Sequence, residues 1–287
     1  MAGKNERQRR QAREKHRRQQ EQRLARQQQV RRRWAIGTLA VLVAAGVGTL
    51  LLIFLPGGTP KKAASASKSP SASPTATATA VAEPAHHCSY ASATPVAKKV
   101  SFPAATPDYT DSYQATLNTN QGKITFNLLN NKATCTVNSF VHLAQAGYFD
   151  NTQCHRLLTS GIYVLQCGDP YATATAKLDC SSTSKIGSGT PGYDFASENL
   201  KGAKYPAGTV AMANEGSATT NGSQFFIVFK DSSSGLTASY TPFATVSSGL
   251  GIVQNVAKDG YSCQYAQSGG GAPKKKVIID SVTIKKT

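Results

Sequence analysis

The 287 residues suit one or two domains, with 40% hydrophobic and 16% charged side chains. The formal net charge of +17 is unevenly placed, because residues 1–33 hold 13 Lys or Arg against 3 Glu. The remainder carries +7, an ordinary surface, which excludes reading the high isoelectric point as a nucleic-acid-binding domain.

Residues 1–33 are rich in Arg and Gln, lack Pro, and have too few apolar side chains to pack. A basic cytoplasmic tail, solvated as a helix or disordered, is expected. Attraction to anionic lipid headgroups fits it, whereas no aromatic or motif support points to a nucleic-acid partner. Residues 34–55, WAIGTLAVLVAAGVGTLLLIFL, contain no charge. As a helix they extend about 33 Å, enough for a hydrocarbon core of about 30 Å. Arg31, Arg32 and Arg33 abut this segment, so the positive-inside rule puts the N-terminus in the cytoplasm and the rest outside. A cleaved signal peptide would have an apolar region of ~7–15 residues with a small-residue site close behind. The run here is longer and Ala64-Ser65-Ala66 lies well past its end, so a retained single-pass anchor is expected.

Residues 56–108 are rich in Ala, Ser, Thr, Pro and Lys, a composition that cannot bury a core, and are expected to be a flexible linker. His86-His87-Cys88 lacks further clustered ligands, so neither metal nor cofactor is expected. All six cysteines (Cys88, Cys135, Cys154, Cys167, Cys180 and Cys263) follow the apolar segment, with no CxxC. Their even number and an oxidising side fit disulfides. Sequence does not choose the pairing; a bridge from Cys135 to Cys154 serves as the working guess.

Residues 109–287 have the texture of a folded domain. Tyr113–Asn118 and Lys123–Leu128 alternate apolar and polar around a turn, as a β-hairpin does. Thr136–Ala146 has helical spacing and ends at Gly147. Strands are predicted at Thr152–Arg156 and Ile162–Cys167, then a loop over Tyr171–Tyr193. Two further strands, Thr209–Ala213 and Gln224–Phe229, flank a polar, Gly-rich loop. Pro242–Ser247 reads as a strand, Gly249–Ala257 as a helix and Val277–Lys285 as the last strand. Eight short strands and two helices predict a mainly β fold: a closed antiparallel barrel capped by the helices, which leaves no exposed edges. Side-chain alternation puts Val164 with Gln166, and Gln224 with Phe226, so two strands each present an amide beside an apolar surface.

Covalent and acid–base chemistry find little support. No G-x-S-x-G surrounds any serine, and neighbours Cys154 and His155 point to opposite strand faces. Ser223 with His155 is the remaining hydrolytic pair.

The stretch GTVAMANEGSATTNGSQFFIVF (208–229), with Cys154-His155-Arg156 and Gln166-Cys167-Gly168-Asp169 upstream, resembles the cyclophilin-type peptidyl-prolyl isomerases. The resemblance runs from Tyr113 to Lys286 and is nearest to membrane-anchored actinobacterial forms. It implies a cofactor-free enzyme that turns Xaa-Pro bonds in exported polypeptides, acting as a monomer. Arg156 falls at the family's catalytic arginine, beside His155, and Gln166 at the glutamine that orders arginine and substrate. Tyr163 and Phe226 are implied as the pocket floor, with Val164 where Met is common. Ala213, Asn214 and Gln224 match peptide-holding positions, and Leu236 and Tyr240 line the remaining wall. The wall Trp of many members is Gly235 or Ser234 here, which implies weak binding of cyclosporin-like peptides. Glu198-Asn199 matches a structural signature. The rival reading is a proline-peptide binding module without turnover.

Overall fold

The computed structural model describes residues 87–181, 183–265 and 269–287, which fall within the unit Ala78–Thr287. The expected tail and membrane helix, and the linker as far as residue 86, lie outside the described residues. Among the described residues, no helix is long and apolar enough to cross a membrane.

The expected mainly β fold with two helices is present. Its strands are β1 (Tyr90–Ser92), β2 (Tyr113–Thr119), β3 (Gly122–Leu128), β4 (Thr152–Gln153), β5 (Arg156–Ser160), β6 (Ile162–Cys167), β7 (Tyr193–Phe195), β8 (Thr209–Met212), β9 (Phe225–Val228), β10 (Pro242–Ser248), β11 (Tyr261–Gln264), β12 (Gly271–Pro273) and β13 (Ile278–Lys286). The helices are α1 (Thr134–Gln145) and α2 (Leu250–Asp259). Strands β1 and β7 pair with each other, and the rest form one sheet in the order β11-β12-β5-β6-β9-β8-β10-β3-β2-β13-β4.

The predicted strand Thr152–Arg156 divides into two. The Cys154 N–H bonds to the Val277 carbonyl, while the next residue, His155, bonds to Gln166. The chain therefore changes neighbours between β4 and β5, and Arg156 opens a new strand.

Strands β8 and β9 are buried on both faces, and the alternation of side chains explains why. Val210, Met212, Phe225 and Ile227 enter the main core, together with Leu157 and Leu165. Their neighbours Ala211, Phe226, Val228, Leu158 and Val164 form a second, smaller apolar cluster on the opposite face. Aromatic edges lock the main core: the Phe225 ring meets Phe140 at 5.6 Å, Phe149 at 5.7 Å and Phe126 at 6.3 Å.

Helix α1 has no acidic residue in its first turn, and its exposed N–H groups are met from a distance. The Glu198 carboxylate accepts from the N–H groups of Cys135 (3.1 Å) and Thr136 (2.8 Å), an N-terminal cap that also suits the helix dipole. Asn199 donates to the Pro242 carbonyl at 2.8 Å. These contacts give the Glu198-Asn199 pair its place in the fold.

Two sequence expectations need correction. The disulfides join Cys88 to Cys135, Cys154 to Cys167 and Cys180 to Cys263, so the working guess of Cys135 with Cys154 is overturned. Cys154 instead faces Cys167 across the β5–β6 corner. Residues 87–108, assigned to the flexible linker, are packed on the domain. β1 pairs with β7 from Tyr90↔Phe195 to Ser92↔Tyr193, Cys88 is bridged to α1, and Lys98 donates to the Gly147 carbonyl at 2.7 Å. Composition alone misses this arm because its partners are distant along the chain or covalent.

Candidate active site

The smaller apolar cluster is one wall of a cavity of about 90 Å³, lined by Arg156, Ile162, Val164, Gln166, Ala213, Asn214, Phe226, Leu236 and Tyr240. Strand register assembles it. Across β5 and β6, Arg156 lies opposite Gln166 and Leu158 opposite Val164. Across β6 and β9, Gln166 lies opposite Phe226, and across β8 and β9 Phe226 lies opposite Ala211. A cation, an amide and an aromatic ring thus stand side by side on one face of three neighbouring strands.

Arg156 is half-buried and its guanidinium is gripped from two sides. Nη1 donates to Gln166 Oε1 at 3.2 Å and Nε donates to the Gly269 carbonyl at 3.0 Å. Gln166 Nε2 donates to Gln224 Oε1 at 2.9 Å. Gln224 Nε2 donates to the carbonyls of Gly187 (3.0 Å) and Gly189 (3.2 Å). The direction of this chain is forced by its ends: a guanidinium can only donate and a carbonyl can only accept, so neither amide can flip without losing both partners. Burial lowers the Arg156 pKa, yet a guanidinium stays charged in proteins.

The apolar wall is braced in the same way. Phe226 meets the Tyr240 ring edge-on at 5.5 Å. The Tyr205 hydroxyl donates to the Tyr240 carbonyl at 2.8 Å and accepts from the Tyr240 N–H at 3.2 Å. Leu236 is positioned by its N–H bond to the Ser232 carbonyl. At Gly235 a Cβ would come within 2.4 Å of the Gly161 carbonyl oxygen, so no larger side chain fits there without moving the β5–β6 turn. A second cavity of about 80 Å³ shares Gln166, Ala213 and Asn214 with the first and is also lined by Gln224, and the N-terminal arm contributes Thr94 to it. Asp194, which also lines it, has its carboxyl pKa raised by burial and then by the Glu215 charge.

Nine of the eleven expected site residues therefore gather around these two cavities, and two do not. Tyr163 points to the opposite face, where it packs edge-on against Phe229 at 6.0 Å with Lys230 Nζ 4.5 Å from its ring centroid. Strand alternation makes this unavoidable once Val164 and Gln166 face the cavity; Ile162 takes the place expected for Tyr163. His155, expected to be catalytic, is 1% exposed, and among the described residues neither ring nitrogen has a hydrogen-bond partner. Burial first, and the Arg156 charge second, lower its pKa to about 3, so the ring is neutral at physiological pH. It does not line the cavity. The hydrolytic pair is not assembled either, since the Ser223 hydroxyl donates to the Gly168 carbonyl at 2.8 Å and lies 3.3 Å from the Tyr148 hydroxyl. Ile162 was legible from alternation, whereas the Gly269 carbonyl carried no signal in the sequence.

The family model "Cyclophilin type peptidyl-prolyl cis-trans isomerase/CLD" matches residues 114–284. The chain is similar to a "Probable peptidyl-prolyl cis-trans isomerase B" of Mycobacterium leprae, 42% identical over 217 residues, covering 69% of this chain and 66% of the relative. The protein of the same description from Mycobacterium tuberculosis is 41% identical, covering 69% and 64%. The chain thus spans slightly less than two thirds of the length of these relatives. A "Peptidyl-prolyl cis-trans isomerase-like 1" of Aspergillus fumigatus is 35% identical over 139 residues, 48% of this chain and 78% of the relative. A crystal structure of a cyclophilin-type isomerase of Cryptosporidium parvum aligns over 61% of this chain and 99% of its own, with 24% identity and a TM-score of 0.48.

Proposed function

We infer that the cavity accelerates cis–trans isomerisation of Xaa-Pro bonds, from the premise that the chain belongs to the cyclophilin-type peptidyl-prolyl cis-trans isomerase family. The barrier to be lowered is rotation about a conjugated amide, about 18–20 kcal/mol. Twisting the bond breaks conjugation and localises the lone pair on the prolyl nitrogen, which can then accept a hydrogen bond. A guanidinium fixed at that point binds the twisted amide better than either planar isomer, and differential binding of this kind is catalysis. Val164, Phe226 and Leu236 hold the pyrrolidine ring. Gln166 and Gln224 keep the cation aimed, and Ala213 and Asn214 hold the neighbouring peptide. No proton or covalent bond changes hands.

The observation that carries this reading is that Arg156 lines the same cavity as Phe226 and Leu236, with both ends of its hydrogen-bond chain anchored. The test is a prolyl-peptide isomerisation assay on the full chain beside Arg156→Ala. Acceleration by the wild type and its loss in the variant is expected; peptide binding without acceleration would make the chain a docking module instead.

The same proposal covers the whole chain. Residues 1–33 form a basic cytoplasmic tail, 34–55 a retained anchor, and the following residues a spacer as far as the arm. The domain lies outside the membrane and acts on exported, proline-containing polypeptides. Support comes from the uncharged segment beside Arg31–Arg33 and from three disulfides, which fit an oxidising compartment. Labelling engineered cysteines from either side of intact cells tests the orientation. The sheet closes into a barrel in this reading: Cys154 and His155 bond to opposite neighbours, so covalent chain joins the two sides of the ladder. The chain acts as a monomer in this reading, and the absence of an indole at Gly235 supports weak cyclosporin binding.

A further inference from the structure

We propose that the β11–β12 hairpin and the loop before β7, cross-linked by Cys180–Cys263, form a frame that grips both ends of the Arg156–Gln166–Gln224 chain, with Tyr265 as the positioning residue at its tip. This rests on the reading of Arg156 as the catalytic cation.

One end of the chain is the Gly269 carbonyl, which accepts from Arg156 Nε. The other is the pair of carbonyls at Gly187 and Gly189, which accept from Gln224. These ends lie on different segments, and Cys180–Cys263 joins the two segments covalently. The hairpin is itself tied together at Tyr265, Gly269 and Gly270. The Tyr265 N–H donates to the Gly270 carbonyl at 2.9 Å and its carbonyl accepts from the Gly269 N–H at 3.2 Å, which fixes the direction of the Gly269 carbonyl. The Tyr265 hydroxyl donates to the His155 carbonyl at 3.1 Å, anchoring the tip to the residue that precedes Arg156. Gly271 pairs with Leu157 on the other side of Arg156. The approach is close: at Gly270, φ +64°, a Cβ would meet the Leu157 carbonyl oxygen at 2.4 Å, and only glycine is comfortable there.

Losing this grip removes the bond that holds Nε and leaves the Gln166 bond at Nη1 in place. The ring pocket is untouched, so kcat should fall while KM stays. A bond to a charged group corresponds to roughly tenfold in rate. The experiment uses the full chain with 15N-labelled arginine. In the wild type the Arg156 Nε–H exchanges slowly with solvent; in Tyr265→Ala the protection is lost and kcat falls ~tenfold. Tyr265→Phe, which keeps the ring, gives a smaller change and serves if the alanine variant does not fold. The Cys180→Ser/Cys263→Ser pair weakens protection in the same direction. Arg156→Lys keeps the charge but lacks the Nε–H, so adding Tyr265→Ala to it should cost nothing further. Unchanged Nε–H protection in the Tyr265 variants, or fully additive losses in the double variant, would overturn the frame. Undiminished activity in Arg156→Lys would instead overturn the reading of Arg156 on which the frame rests.

Discussion

Gln166→Ala is the sharpest probe of how the cavity works, because Gln166 is the one link that touches both the cation and the second amide. The substitution removes an acceptor 3.2 Å from Arg156 Nη1 and a donor 2.9 Å from Gln224 Oε1. A hydrogen bond to a charged group is worth about 1.5–3 kcal/mol and a neutral one about 0.5–1.5 kcal/mol. Gln166 is half-buried in an open groove, so water can satisfy what is left, and stability should fall by no more than ~1 kcal/mol. The guanidinium keeps Gly269 as a partner but loses the bond that turns its Nη1 edge along the cavity. If that bond is fully expressed in the twisted state, kcat/KM drops by roughly 10- to 100-fold at 1.4 kcal/mol per factor of ten. The apolar wall does not change, so the loss should lie in kcat rather than KM. Isomerisation of a Xaa-Pro peptide followed without a coupling protease, with a urea-unfolding curve beside it, measures both quantities. A variant that keeps kcat/KM within twofold of wild type would falsify the claim that the amide relay aims the cation. So would a loss confined to KM.

Three further outcomes follow from the same geometry. Tyr163→Phe should leave kcat/KM within about twofold, since its ring lies on the far face, whereas Ile162→Ala should raise KM; the opposite result in peptide kinetics would restore Tyr163 to the pocket. His155 stays neutral in the folded protein down to a pKa of about 3 but protonates near 6.5 when unfolded. Its contribution is therefore complete above pH 6.5 and lost toward pH 3, with a slope approaching ~1.4 kcal/mol per pH unit. Urea unfolding from pH 7 to 4 should show this slope and His155→Leu should flatten it; equal slopes would contradict the burial argument. Removing Cys88–Cys135, which closes a 47-residue separation, should destabilise the domain by up to ~4 kcal/mol on loop entropy. It should also loosen the arm enough for trypsin to cleave after the exposed Lys98 and Lys99; unchanged cleavage would show that β1 and Lys98 hold the arm unaided.

What the linear chain determined was the local and the periodic. Alternation in β6 and β9 placed Val164 with Gln166 on one face, and spacing located both helices to within two residues, because each depends only on neighbours along the backbone. The same alternation excludes Tyr163 from the cavity, and a match of motif positions alone obscured that. Folding in three dimensions decided everything that depends on contacts between distant residues: which cysteines meet, why residues 87–108 pack instead of trailing as linker, and that His155 is buried away from the site it adjoins. It also decided what holds Arg156. A main-chain carbonyl has no residue type, so the grip of Gly269 on the guanidinium left no trace in the sequence and exists only where β11, β12 and β5 are brought together.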